Sequence, residues 1–179
     1  EKNAHSSLGM KTMLHTEGDQ FFWANGLDME YTDATLKETQ DEGFSPDQPA
    51  GVHYDYQVDA AVVAAFSQLR SQWQSPWELS AGLRLEYTYY DYDNRTGDGS
   101  ACAPEASNCR FYRPADRDDD FSDVSANAGA GYRLNDDSLL YLRVARGFRA
   151  PQATELYRLQ SGQRSAELAS EELDNIELG

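Results

Sequence analysis

The feature that most constrains this chain is alternation with a period of two. In Ala81-Gly-Leu-Arg-Leu-Glu-Tyr-Thr-Tyr89, residues Ala81, Leu83, Leu85, Tyr87 and Tyr89 fall on one side of an extended backbone, and Gly82, Arg84, Glu86 and Thr88 on the other. The same pattern sets Val124, Ala126, Ala128, Ala130 and Tyr132 against Ser125, Asn127, Gly129, Gly131 and Arg133. It recurs in Leu27, Met29 and Tyr31 against Asp28, Glu30 and Thr32, and in Leu140, Leu142 and Val144 against Tyr141, Arg143 and Ala145. These are strands with one apolar and one polar face. A soluble sheet turns its charged face to bulk water, whereas a barrel lumen holds charges beside glycines that permit close backbone approach and curvature.

Val58 to Gln72 is less clean, because Ala61, Val63 and Ala65 make the second face apolar as well. A helical stripe through Val62, Val63 and Phe66 is an alternative, but the neighbouring Tyr54, Tyr56 and Val58 suit a strand better. The longest apolar run, Ala60 to Phe66, falls far short of the roughly 20 residues of a membrane-spanning helix. A barrel crosses in strands of about 9 to 11 residues and leaves little trace in mean hydropathy, so a membrane is still open to this chain. No apolar signal-peptide core follows Glu1-Lys2-Asn3.

Interruptions between strands alternate in length. Short turns are expected near Glu17-Gly-Asp-Gln20, Gln74-Ser-Pro76 and Asn135-Asp-Asp137, and long polar connections over Lys37 to Asp55 and Asn94 to Asp120. In an antiparallel meander, alternate connections emerge at the same end, which gives one rim of tight turns and one of long loops. Aromatics fit two interfacial belts, with Phe21, Phe22, Trp23, Trp73, Trp77 and Tyr132 near the short turns. Tyr31, Tyr54, Tyr56, Tyr89, Tyr90, Tyr92 and Phe121 lie near the long loops. The alternative is a soluble β-sandwich with aromatic core corners.

The balance of 15 Lys plus Arg against 31 Asp plus Glu gives a formal charge of -16, which argues against a nucleic-acid partner. The excess gathers in the long connections, at Glu38, Asp41, Glu42, Asp47 and Asp55 and again from Asp93 to Asp120. Such carboxylates admit calcium, and through it contact with anionic lipopolysaccharide, although Asp116-Arg-Asp-Asp-Asp120 lacks the glycine and terminal glutamate of a helix-loop-helix site. A solvated acidic loop explains them more simply, and no cofactor is assigned. Cys102 and Cys109, in Cys-Ala-Pro-Glu-Ala-Ser-Asn-Cys, read as a disulfide staple stable in an oxidising compartment. A thiolate metal centre would need further ligands, and thioredoxin chemistry a tighter cysteine pair. His5, His15 and His53 have no zinc spacing, and neither a phosphate loop nor a nucleophile elbow is present, so no enzyme is indicated.

The sharpest segment is Ser138 to Tyr157. A strand carries Arg143 and Arg146, Gly147 is expected to relieve crowding, and Pro151 ends regular pairing as the chain turns at the rim. These arginines suit an anionic ligand or structural ion pairs inside a barrel. Tyr141-Leu-Arg-Val-Ala-Arg-Gly-Phe-Arg-Ala-Pro151, Glu155-Leu-Tyr157, Glu171 and Asn175-Ile-Glu-Leu-Gly179 closely resemble the β-barrel domain of TonB-dependent outer-membrane receptors. Val58-Asp-Ala60, Ala65-Phe66 and Ala81 to Glu86 resemble preceding family strands, so the likeness covers most of the chain.

The resemblance implies an all-β fold: six to seven antiparallel strands of a larger, 22-stranded transmembrane barrel occluded by a plug. Residues 1–179 would be part of that barrel domain, with the plug and its TonB-contact segment absent. It implies a bacterial outer-membrane location, extracellular acidic loops, and contact with lipid, lipopolysaccharide and the TonB complex through the plug. The implied cargo is a ferric siderophore or other scarce nutrient, with Arg143, Arg146 and Arg149 as lumen or vestibule candidates and Gly147, Phe148, Pro151, Glu155 and Tyr157 as structural markers. Phe148-Arg-Ala-Pro151 matches the box of haem receptors, but the asparagine-proline element and ligand histidine that accompany it are missing. A passive porin and a soluble calcium-dependent β-sandwich are the competing readings.

Overall fold

Seven long strands form one antiparallel sheet in the computed structural model, which describes residues 1–71, 76–160 and 162–179. They are β1 (Lys2–Gly18), β2 (Phe21–Gln40), β3 (Gly51–Ser71), β4 (Trp77–Asn94), β7 (Arg117–Asn135), β8 (Ser138–Arg149) and β10 (Glu171–Leu178). Each pairs with the next in that order, a meander without crossovers. A second, three-stranded sheet of β5 (Gly99–Ser100), β6 (Phe111–Arg113) and β9 (Leu159–Gln160) lies in the connections, with the short helix α1 (Ala153–Tyr157). No helix among the described residues is long and apolar enough to cross a membrane; strands are a separate matter.

Register carries the alternation of single strands across the whole sheet. Thr12, Leu27, Ala65, Leu85 and Val124 occupy one continuous row, and Ala81, Ala128, Val144 and Ile176 another on the same face. This apolar face is uncovered: Leu85 is 50% and Val124 51% exposed. The opposite row runs through Gly26, Phe66, Arg84 and Ser125. Gly26 is needed there, because a Cβ would run into the Phe66 ring and the Thr12 carbonyl.

Val58 to Ser71 is strand, not helix, within β3. The Ala61, Val63 and Ala65 face that blurred its pattern belongs to the apolar side, and the small Ala60 and Ala64 lie on the polar one. The long connections are shorter than expected. β2 extends to Gln40 and β3 starts at Gly51, while β7 begins at Arg117, since polar residues at both strand ends keep the ladder going past the apolar band. A third long connection, 150–170, carries α1 and β9. Tight turns at Asp19-Gln20 and Asp136-Asp137 match expectation, whereas Trp73 and the Gln74-Ser75 turn fall outside the described residues.

Of the aromatics expected at the long-loop end, Tyr31 and Tyr89 do sit on the apolar face, joined by Tyr87. Tyr54, Tyr56, Tyr90, Tyr92 and Phe121 do not: their parity puts them on the polar face, where they form or adjoin the buried core. At the other end, Trp77 and Tyr132 face one another across β4 and β7 with ring centroids 4.9 Å apart, and Trp23 Nε1 donates to Ser67 Oγ at 2.8 Å.

Candidate functional site: the capped polar face

Two structures are built on the polar face. The first is a charge network near mid-sheet. Asp28 and Glu86 flank the buried Ala64 on β2 and β4, and Arg84 bridges them, with Nη1 2.6 Å from Asp28 Oδ2 and Nη2 2.6 Å from Glu86 Oε2. Lys11 approaches Asp28 Oδ2 at 3.6 Å from β1. The guanidinium fork suits two carboxylates at once, and Ala64 leaves the space above it free for that arrangement. Asp28 Oδ1 is buried without a hydrogen-bond partner among the described residues.

The second structure is a cap at the long-loop end. Leu36, Tyr54, Tyr56, Val58 and Tyr92 project from the sheet and are covered by Phe111 of β6, Leu156 and Tyr157 of α1, Leu159 of β9 and Ala166. Connections that emerge at the rim therefore fold back over the polar face, and apolar residues there have a core to enter. Tyr157 is fully buried, stacks on Tyr92 with centroids 4.2 Å apart, and donates from its hydroxyl to Asp119 Oδ2 at 2.7 Å. Arg117 Nε holds the same Asp119 oxygen at 2.8 Å. Burial, and then the bond to Asp119, push the Tyr157 phenol well above the usual tyrosine range.

Polar bonds tie the cap down. The Tyr54 hydroxyl donates to the Leu159 carbonyl, Tyr90 donates to the Pro151 carbonyl at 3.2 Å, and Arg158 pairs with Glu38. His53 owes its place to a bulge, because Glu38 pairs with Tyr54 and Thr39 with Val52, leaving His53 as the extra residue. Its ring is buried, stacks on Phe111 at 3.7 Å and lies 2.8 Å from the Pro49 carbonyl through Nε2.

The three candidate arginines are not brought together. Arg143 and Arg149 share the polar face, opposite Glu177 and Glu171 of β10. Arg146 has the parity of Leu142 and Val144 and lies on the apolar face, where Nε is 2.7 Å from Asp174 Oδ1 and Nη1 3.7 Å from Glu172. Arg149 is the anchor of α1: Nη1 is 2.9 Å from Glu155 Oε2, Nε 3.1 Å from Glu171 Oε2, and Glu155 also accepts the Gln152 N–H at 2.8 Å. The Arg149 guanidinium first, and that N–H second, hold the Glu155 carboxyl below the usual range. Arg143 lies over the Tyr141 ring, 5.1 Å from its centroid. Phe148 is half-buried on the apolar-face parity and Pro151 is buried. Around Gly147 a Cβ would meet open space, so the expected crowding is absent and the glycine has no steric requirement in this arrangement.

Cys102 and Cys109 form the expected disulfide, with Cα atoms 5.7 Å apart. The stapled loop is held to the β2–β3 connection by Asp47, whose carbonyl accepts Arg110 N–H at 3.2 Å and whose Oδ1 accepts Asn108 N–H at 3.1 Å. The acidic run does not converge. Strand alternation sends Asp118 and Asp120 to the face opposite Asp119, and Asp116 accepts the Asn94 N–H. Among the described residues no cluster of metal-ligating side chains is suited to an ion.

Sequence reasoning passed over Arg84 and Arg117 as site residues, although Arg84-Leu-Glu86 and Arg117-Asp-Asp119 place opposite charges two residues apart on one strand face, which is a readable signal. His53 and Arg158 had no such signal, since a bulge and a loop position them. No curated protein matches the chain. The chain does match a family model described as "TonB dependent receptor-like, beta-barrel", over residues 4–179.

Proposed function

Since this chain belongs to the TonB-dependent receptor-like β-barrel family, whose members are not enzymes, we propose that it forms part of the wall of a 22-stranded outer-membrane barrel that imports a ferric siderophore or a similar scarce nutrient. The carrying observation is a sheet that is apolar and uncovered on one face, polar and capped on the other. The apolar face would meet lipid, with Trp23, Trp77 and Tyr132 at one interface and Tyr31, Tyr87 and Tyr89 at the other. β1 and β10 are the outer strands of the sheet, and long free edges favour completion by further strands.

On this reading the long connections are extracellular, near lipopolysaccharide, and the polar face lines the lumen. Arg143 and Arg149 belong to that wall, and α1 with the three-stranded sheet narrows its mouth. Arg146 with Asp174 and Glu172 sits on the outward face near the extracellular ends of β8 and β10, where charge is tolerated at the headgroup level. Energy would come from the TonB complex acting through a plug. The capped mouth favours this over an open passive channel. The test is iron-limited growth and uptake of radiolabelled ferric siderophores by cells with and without the gene. Uptake that requires both the gene and TonB supports the reading; gene-dependent uptake indifferent to TonB supports a passive channel.

A further inference from the structure

The short-turn end of the polar face carries a cleft of about 520 Å³ that the function proposed above does not use. One row crosses its floor in register: Arg70 on β3, Ser80 on β4, Gly129 on β7 and Arg143 on β8. Three strand spacings, about 14 Å, separate the outer two backbones, and only a hydroxymethyl group and a hydrogen lie between them. Glycine keeps the floor low, since a Cβ at Gly129 would stand 2.8 Å from Ser80 Oγ, which would have to turn away, and in ordinary contact with Arg143 Cγ at 3.5 Å. Both arginine stems therefore have room to converge over it.

The cleft holds three arginines. Arg133 also lines it and is ion-paired with Glu78. Neither Arg70 nor Arg143 has an ion pair or a side-chain hydrogen bond among the described residues. Glu177, which faces Arg143 across the ladder, instead accepts from Asn175 at 3.0 Å. The Tyr141 ring steers the Arg143 guanidinium without neutralising it. In a chain of formal charge -16, two guanidiniums without a counter-ion among the described residues lie on the same face of β3 and β8, across a floor of minimal side chains.

We propose that Arg70 and Arg143, supported by Arg133, form an oxyanion site that takes a single carboxylate or phosphate group at the short-turn end of the polar face. Planar guanidiniums recognise both groups through paired N–H donors, so the geometry selects the chemistry, and its source is either a free anion or a carboxylate of protein lying against the wall. The experiment is phenylglyoxal modification of the full-length protein carrying this chain, purified in detergent micelles. Modification of Arg70 and Arg143 is mapped by mass spectrometry against the exposed Arg164, with and without inorganic phosphate. A free-anion site gives modification at least fivefold slower in phosphate at Arg70 and Arg143, with Arg164 unchanged. A site filled by a protein carboxylate gives slow modification in both conditions that high salt releases. Modification at the rate of Arg164 regardless of phosphate overturns the proposal, as does slow modification indifferent to both phosphate and salt.

Discussion

Tyr157 lies almost flat on Tyr92, its ring plane 20° from parallel, while its hydroxyl reaches Asp119 on the next strand of the sheet. One side chain from the helix after the rim thereby fixes the cap to both β4 and β7. Replacing it with alanine removes the stacking, the burial and the bond together. Tyr157→Ala should destabilise the cap by about 3 to 5 kcal/mol. Tyr157→Phe, which removes only the hydroxyl and leaves Asp119 paired with Arg117, should cost about 1 kcal/mol. Limited proteolysis within 150–170, read as a cleavage rate, checks both.

The same phenol makes the cap alkali-sensitive. Its folded pKa is raised above the unfolded value near 10, so the stabilisation it supplies is fully present below about pH 10 and is lost as pH climbs toward the folded value. Proteolysis of the cap should accelerate above about pH 10 in the native protein and less so in Tyr157→Phe. Absorbance titration at the phenolate band should show one fewer late-ionising tyrosine in the variant than in the native protein.

Reduction of Cys102–Cys109 should free the loop that Asp47 ties to the β2–β3 connection. The cross-link restricts a short segment, and its loss should cost roughly 2 to 3 kcal/mol in local stability. Proteolysis of residues 101–110 should rise on reduction while the strand ladder, followed by circular dichroism, is unchanged.

Arg84 joins two carboxylates over Ala64, and its side chain is 31% exposed. Arg84→Met leaves Asp28 and Glu86 adjacent without their shared cation, at a cost of about 2 kcal/mol after allowance for solvent. Asp28→Asn and Glu86→Gln in the Arg84→Met background should recover part of it. Thermal unfolding of the four proteins in micelles measures the coupling.

The faces of the long strands were legible because side-chain parity is a local property, and Ala81 to Tyr89 alone already divides them. The two tight turns within the described residues were legible for the same reason, as each interrupts the alternation with polar, turn-forming residues. The cap was not. Tyr54, Tyr56 and Tyr92 resemble an interfacial belt by their nearness to a loop although their parity is that of the polar face, and nothing in their own neighbourhood announces that Phe111, Leu156 and Leu159 return to cover them. Those contacts join residues distant in the chain, 105 positions apart for the hydrogen-bonded Tyr54 and Leu159. Arg146 was separable from Arg143 and Arg149 by counting residues along β8.

As part of a barrel wall, the sheet would turn one face to lipid and the other to an aqueous lumen. Val124→Cys, Ser125→Cys, Ala126→Cys, Asn127→Cys and Ala128→Cys, each carrying a nitroxide on the full-length protein in lipid bilayers, test it within a single stretch of β7. Oxygen, which concentrates in lipid, should relax the spin labels at 124, 126 and 128, and a water-soluble nickel chelate those at 125 and 127, in strict alternation. Equal access of the nickel chelate to all five positions would rule out a lipid-facing side.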